Sequence, residues 1–289
     1  MANSLIKTMA YGKQARILFV NNTDLLRTIC HRPSLKSKLL RHALGLTVSA
    51  ASLLTGTLKD HQRLTLKIKA SHPAYMLFAD VDSQGHVRGY VSEGLLQAPP
   101  ESLDKKSIPQ FVGDRGIIQI IKDVGMFRNV TGITDMPYRT IVDDLSHYFN
   151  QSEQTPTHFA IHIDYMDDHR IRTGVGVLAQ LFPGATEGLL DHIREVLDQL
   201  PAIPSSMLSG EAFRQVPFLL FEDIEIKEEV PVKAFCGCSK EMMVSMLFSL
   251  GRDELIAACE KHDSIELICH LCGNSYRFEP PEIKTLLNL

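Results

Sequence analysis

Four cysteines near the C-terminal end carry the most specific chemistry in the sequence. Cys236 and Cys238 form a Cys-x-Cys pair, and Cys269 and Cys272 form a Cys-x-x-Cys pair. Two close thiolate pairs joined by a helical insert suit a closed tetrahedral zinc site, with each sulfur about 2.3 Å from the metal. The second pair runs on into Gly273 and Asn274, a tight knuckle in which backbone amides point at the sulfurs. Four protein ligands leave no open position, so the expectation is one Zn2+ per chain and no activated water for hydrolysis. Cys30 and Cys259 stand alone and read as small buried apolar residues.

The same spacing has a redox consequence. A module of roughly fifty to sixty residues folds insecurely on its core alone, and zinc-finger peptides draw about 10 to 16 kcal/mol from their metal. Oxidation would remove the ligands in pairs, Cys236 with Cys238 and Cys269 with Cys272, because neighbours held on one ion are already close. Disulfides closing such small loops constrain the unfolded chain little and cannot replace the metal as a staple. The residues therefore suggest a module that folds when reduced and melts reversibly when oxidised.

Other elements must carry this module. RILFV and RLTLKIKA read as half-buried strands, the latter alternating Leu64, Leu66 and Ile68 with Thr65, Lys67 and Lys69. Between them, Ser37 to Leu54 repeats apolar residues at helical spacing and ends at Gly56. Hairpins are expected to turn at Ser83, Gln84 and Gly85 and near Asp167 and Asp168. Interspersed strands and helices with several hairpin signals give an α+β class with a largely antiparallel sheet. ATEGLLDHIREVLDQL is an amphipathic helix stopped by Pro201. Beyond it lies a connector with an apolar cluster, Phe218, Leu219, Leu220 and Phe221, and an acidic run, Glu222 to Glu229. A plain solvated linker would not carry that cluster, so it must dock on a neighbour or bind something. The expected domains are an N-terminal α+β core over 1–184, a helical linker over 185–232 and a four-cysteine zinc domain over 233–289.

The chain of 289 residues has a net charge of -4, which argues against nucleic acid or an anionic membrane as the main partner. Its opening, MANSLIKTMAYGKQAR, lacks a signal-peptide apolar stretch, and ALGLTVSAASLLTG is too short to span a bilayer. Six cysteines in this length make no disulfide scaffold of the small secreted kind. A cytoplasmic location is the expectation.

Over nearly its whole length the sequence resembles the redox-regulated heat shock protein 33 family, the 33 kDa chaperonins. The resemblance lies in TGTLKDHQRLTLKIKA, DVDSQGHVRGYV, YFNQSEQTPTHF and GVLAQLFPGA, and most specifically in FCGCSKE followed by CHLCGNSYRF. It departs from the family's usual strings at GVGVLAQ and PYRTIV. The resemblance implies an ATP-independent holdase chaperone and not an enzyme, zinc-bound and inactive when reduced. On oxidation such a protein loses zinc, unfolds its C-terminal module and linker, binds unfolding client proteins and associates into homodimers. The family's zinc ligands correspond to Cys236, Cys238, Cys269 and Cys272. A client surface is then expected at Phe218 to Phe221 and the amphipathic helix before it.

Two other functions fit parts of the pattern: a thiol-disulfide oxidoreductase using Cys269 and Cys272 alone, and a static zinc-ribbon interaction module. The first lacks a thioredoxin-like strand-to-helix setting, and the second lacks interleaved basic and aromatic residues for single-stranded nucleic acid. Asp80, Asp82 and Gly85 open like a calcium loop, but the twelfth position is Val91, so a hairpin turn is expected. His162, Asp164, Asp168 and His169 read as a solvated hairpin tip. Gly174 and Gly176 lack the third glycine of a dinucleotide fingerprint. Met242, Met243 and Met246, beside Phe248, read as core of the small module.

Overall fold

The computed structural model describes residues 3–125, 129–269 and 271–287. The chain divides into two units, Met1–Phe235 and Cys236–Leu289. The first begins with strands β1 (Ser4–Ala10) and β2 (Ala15–Asn21) and helices α1 (Thr23–Cys30) and α2 (Lys38–Leu54). Next come β3 (Arg63–Lys69), β4 (Met76–Asp82) and β5 (His86–Val91), then short helices α3 (Glu93–Gln97), α4 (Pro100–Leu103) and α5 (Ile108–Val112). They are followed by β6 (Ile117–Asp123), β7 (Asn129–Asp135), α6 (Ile141–Ser152), β8 (Thr157–Tyr165) and β9 (Ile171–Leu181). Helices α7 (Leu189–Leu197) and α8 (Val216–Leu220) and strands β10 (Ile224–Pro231) and β11 (Lys233–Ala234) complete the unit. The second unit contains α9 (Lys240–Phe248), α10 (Arg252–Lys261), β12 (Ile265–Ile268), β13 (Ser275–Phe278) and α11 (Pro280–Leu287).

Two sheets build the first unit, in the orders β10-β1-β2-β9-β8 and β11-β5-β4-β3-β6-β7. Every pairing is antiparallel except the short β11–β5 contact. The protein is thus α+β with antiparallel sheets. Helix α2 starts where Ser37 accepts the Leu40 amide, as an N-cap should. It is buried along nearly all of its length, and its leucines and alanines share one core with residues of both sheets. Three hydroxyls buried within it are hydrogen-bonded: Thr47 donates to the Ala43 carbonyl, Ser52 to the Val48 carbonyl, and Ser49 Oγ accepts the Asn22 side-chain amide. Gly89 lets β5 approach this helix, since a Cβ there would lie 2.4 Å from Val48 Cγ2.

The first sheet is covered on its other face as well. Ile6, Ile17, Phe19, Val175 and Val177 pack there with Leu189, Ile193, Leu197, Phe213, Val216 and Phe221. RILFV, expected to be half-buried, is instead buried on both faces as β2, as is most of β9, because a second layer covers this sheet, whereas β3 alternates as expected between buried and largely half-buried positions. The stretch 185–232 therefore holds the expected amphipathic helix as α7. Its far end, not expected to be a strand, pairs along β1 from Ser4↔Pro231 to Ala10↔Ile224 with a bulge between Lys7 and Thr8. Much of the acidic run Glu222 to Glu229 lies in that strand, where Lys7 meets Glu228 at 2.9 Å and Arg214 meets Glu229 at 2.6 Å.

Both expected hairpins are present. Val81 pairs with Val87 across the first, and Gly85 takes φ +80 in its turn. Asp82 there accepts the Gln84 and His86 amides while Asp80 accepts Arg88 and Thr65, so these carboxylates serve the hairpin. At the tip between β8 and β9, Asp168 pairs with Arg170 and Asp164 with Arg172.

Candidate metal centre

The module from Cys236 folds around Met243, Leu247, Leu255, Cys259, Phe278, Ile283 and Leu287. Ser239 caps α9 by accepting the Met242 amide, which fixes the helix immediately after the Cys-x-Cys pair. Of the expected methionine core only Met243 is buried. Met242, Met246 and Phe248 are exposed, because a 3.6-residue period turns Met243 and Leu247 inward together and its neighbours away. Helix α11 was not expected; it closes the core with Ile283 and Leu287, and Glu282 holds Lys240 at 2.7 Å.

The second cysteine pair sits at the turn of the β12–β13 hairpin, where Ile268 pairs with Ser275. The Cys269 amide donates to the Asn274 carbonyl at 2.8 Å and the Gly273 amide to the Cys269 carbonyl at 2.7 Å. Gly273 takes φ +79, as Gly237 takes φ +72 between the first two cysteines, a conformation that glycine adopts without strain. His270, inside the same expected turn, lies outside the described residues.

These two turns converge. All four Sγ atoms lie within 4.8 Å of one another, and among the described residues they form the one group of this kind. Between the motifs, Cys236 Sγ lies 3.6 Å from Cys269 Sγ and Cys238 Sγ lies 3.3 Å from Cys272 Sγ. A tetrahedron with bonds of about 2.3 Å has sulfur–sulfur edges of about 3.8 Å, so the four soft donors fit a tetrahedral thiophilic metal with small adjustments.

The sulfurs are not equivalent. Burial, and then the surrounding thiols, push the Cys236 thiol well above its ordinary range, and burial raises Cys272. At Cys238 burial opposes the thiolate, but hydrogen bonds from the Tyr276 hydroxyl and the neighbouring thiols outweigh it and lower this thiol to about 7. Tyr276 Oη stands 2.9 Å from Cys238 Sγ and 3.1 Å from the Cys238 carbonyl oxygen. Donation to that sulfur raises the phenol itself to about 12. Nothing in the cysteine spacing marked Tyr276; its only signal was an aromatic residue on the strand leaving the knuckle.

Cys30 and Cys259 are buried as expected: burial raises Cys30 to about 12, and Cys259 contacts the Pro280 carbonyl. The apolar cluster of the linker divides. Phe221 is 4 % exposed and packs edge-on against Tyr11 and Phe19, Leu220 is partly buried, and Phe218 and Leu219 are 50 % and 58 % exposed.

Fold and site together define an α+β protein carrying a small four-cysteine module able to hold a metal ion. The family model described as Hsp33 protein matches residues 3–279. The chain is 31% identical over 290 residues to the 33 kDa chaperonin of Listeria monocytogenes, covering 99% of this chain and 98% of that one. It is 30% identical over 288 residues to the 33 kDa chaperonin of Oceanobacillus iheyensis, covering 99% of each. Its fold matches the crystal structure of the 33 kDa chaperonin from Thermotoga maritima with a TM-score of 0.77 at 23% identity, over 100% and 98% of the two chains. The chain belongs to the Hsp33 family, and this membership supports a chaperone role. Among the described residues no helix is long and apolar enough to cross a membrane.

Proposed function

We propose that this chain is a redox-regulated, ATP-independent holdase, inactive while Cys236, Cys238, Cys269 and Cys272 hold one Zn2+ and active once they are oxidised. The observation that carries this reading is the convergence of four thiols within 4.8 Å in a member of a chaperone family. Zinc, when bound, supplies a Lewis acid that keeps all four sulfurs as thiolates and clamps the module. The chain's own sulfurs do the rest. One thiolate attacks a peroxide: its S–O bond forms, the O–O bond breaks and hydroxide leaves. A second thiolate then attacks that sulfur, forming S–S and expelling hydroxide, so two electrons pass from the sulfurs to the peroxide.

The disulfides in this reading are Cys236 with Cys238 and Cys269 with Cys272. The folded module also brings cross pairs to 3.6 and 3.3 Å, but those span 33 and 34 residues and separate as soon as the module loosens. Adjacent cysteines remain neighbours in any conformation. With its thiolates consumed the module no longer holds zinc, and its small core cannot keep it folded. In this reading the linker unfolds along with it, so that Phe218, Leu219, Leu220 and Phe221 meet unfolded or partly unfolded client proteins. The exposed apolar surface also supports association into a homodimer, and the sparse free thiols suit the cytoplasm. Dithiol exchange by Cys269 and Cys272 alone suits the site less well, since it leaves the convergence of Cys236 and Cys238 on the same point without a purpose.

The test is suppression of thermal aggregation of a model client, without nucleotide, by reduced, peroxide-treated and re-reduced protein. Suppression only in the oxidised sample, with peptide mapping that links adjacent cysteines, is the expected result. Equal suppression in all three samples, or in none, overturns the reading.

A further inference from the structure

We propose that Tyr276 is a positioning residue of the cysteine centre, donating its hydroxyl proton to the Cys238 sulfur and so slowing that sulfur's attack on oxidants. The inference rests on the redox reading above and deepens it by naming what sets the sensitivity of the site.

The placement follows from the hairpin. Tyr276 pairs with Leu267 across β12 and β13, and its half-buried ring reaches back 38 residues in sequence to the Cys-x-Cys turn. The hydroxyl there has two acceptors, Cys238 Sγ at 2.9 Å and the Cys238 carbonyl oxygen at 3.1 Å. The hydroxyl carries a single proton, and both of these acceptors belong to Cys238. A neutral thiol competes weakly for that proton, whereas a thiolate, free or on a metal, takes it as a charge-assisted bond.

Such a bond withdraws the sulfur electron density that must form the new S–O bond. As the O–O bond breaks and the sulfur gives up its electron pair, negative charge leaves the sulfur and the hydrogen bond weakens. The transition state therefore gains less from Tyr276 than the ground-state thiolate does, and the attack is slowed.

Tyr276→Phe keeps the ring and its packing and removes only the hydroxyl. In the full-length, zinc-loaded protein the second-order rate of zinc release by hydrogen peroxide, read with a colour indicator, should rise about fivefold, equivalent to about 1 kcal/mol. Release to a chelator without peroxide should stay unchanged, which separates a more reactive sulfur from a loosened site. In the Co2+-substituted protein the sulfur-to-metal charge-transfer band should move to lower energy, a shift that a purely structural role would not produce. An unchanged peroxide rate, a rise matched by chelator-driven release, or an unmoved cobalt band overturns the proposal. If wild-type protein kept its zinc through peroxide treatment, the redox reading would fall, while the cobalt band would still decide whether Tyr276 donates to the metal-bound sulfur.

Discussion

Replacing Phe221 by alanine should unfasten the linker without touching a cysteine. Phe221 is buried at 4 % exposure, with ring centroids 6.1 Å from Tyr11 and 6.2 Å from Phe19 in edge-to-face geometry. Deleting a buried phenylalanine costs about 3–5 kcal/mol, which includes the edge-to-face contributions of about 0.5–1.5 kcal/mol per pair. At 1.4 kcal/mol per factor of ten, local opening of the segment around α8 should become about a hundredfold to several-thousandfold more frequent. The core around α2 does not include this side chain, so the loss should remain on the sheet face that α7 and α8 cover. Hydrogen–deuterium exchange on reduced protein reads it directly: peptides covering 210–224 should exchange faster while those of α2 stay protected. Reduced F221A should also suppress client aggregation that reduced wild type does not. Phe218→Ala, at a half-exposed position, should leave exchange nearly unchanged and weaken client binding only after oxidation. Unchanged exchange in F221A, or equal acceleration throughout Met1–Phe235, would refute the local-clasp argument.

Cys269→Ser should abolish stoichiometric metal binding and expose the C-terminal module to protease, while the first unit keeps its circular dichroism and melting transition. In metal-free, reduced protein, iodoacetamide should label Cys238 increasingly as pH rises through about 7, because its depressed thiol ionises there, whereas Cys30, raised to about 12, stays unlabelled in the native state. Labelling of both at equal rates would contradict the assigned environments. Gly89→Ala should lower stability by about 1–3 kcal/mol, measured by thermal melting, because the new methyl overlaps Val48 Cγ2; an unchanged melting temperature would show that α2 shifts freely.

What could be read from the residues was whatever depends on short-range chemistry. Ser37 and the apolar spacing of Lys38–Leu54 located α2, the Ser83, Gln84 and Gly85 turn located a hairpin, and the cysteine spacing located the group of four thiols that could hold a metal. Features that depend on a distant partner were not legible. The segment IEIKEEVP becomes a strand because the edge of β1, more than two hundred residues earlier, accepts it. The apolar cluster at Phe218 to Phe221 looked uniform, but only the last ring reaches the pocket beside Tyr11 and Phe19. Likewise Tyr276 gains its role from folding that brings β13 against Cys238, a proximity with no counterpart in local spacing.

The most direct test follows zinc and chaperone activity in the same oxidised sample over time, at a mildly unfolding temperature and without nucleotide. One zinc per chain should be lost, with holdase activity appearing at the same rate and disappearing on reduction. Zinc retained through full peroxide treatment, or activity that rises while zinc stays bound, would contradict the switch.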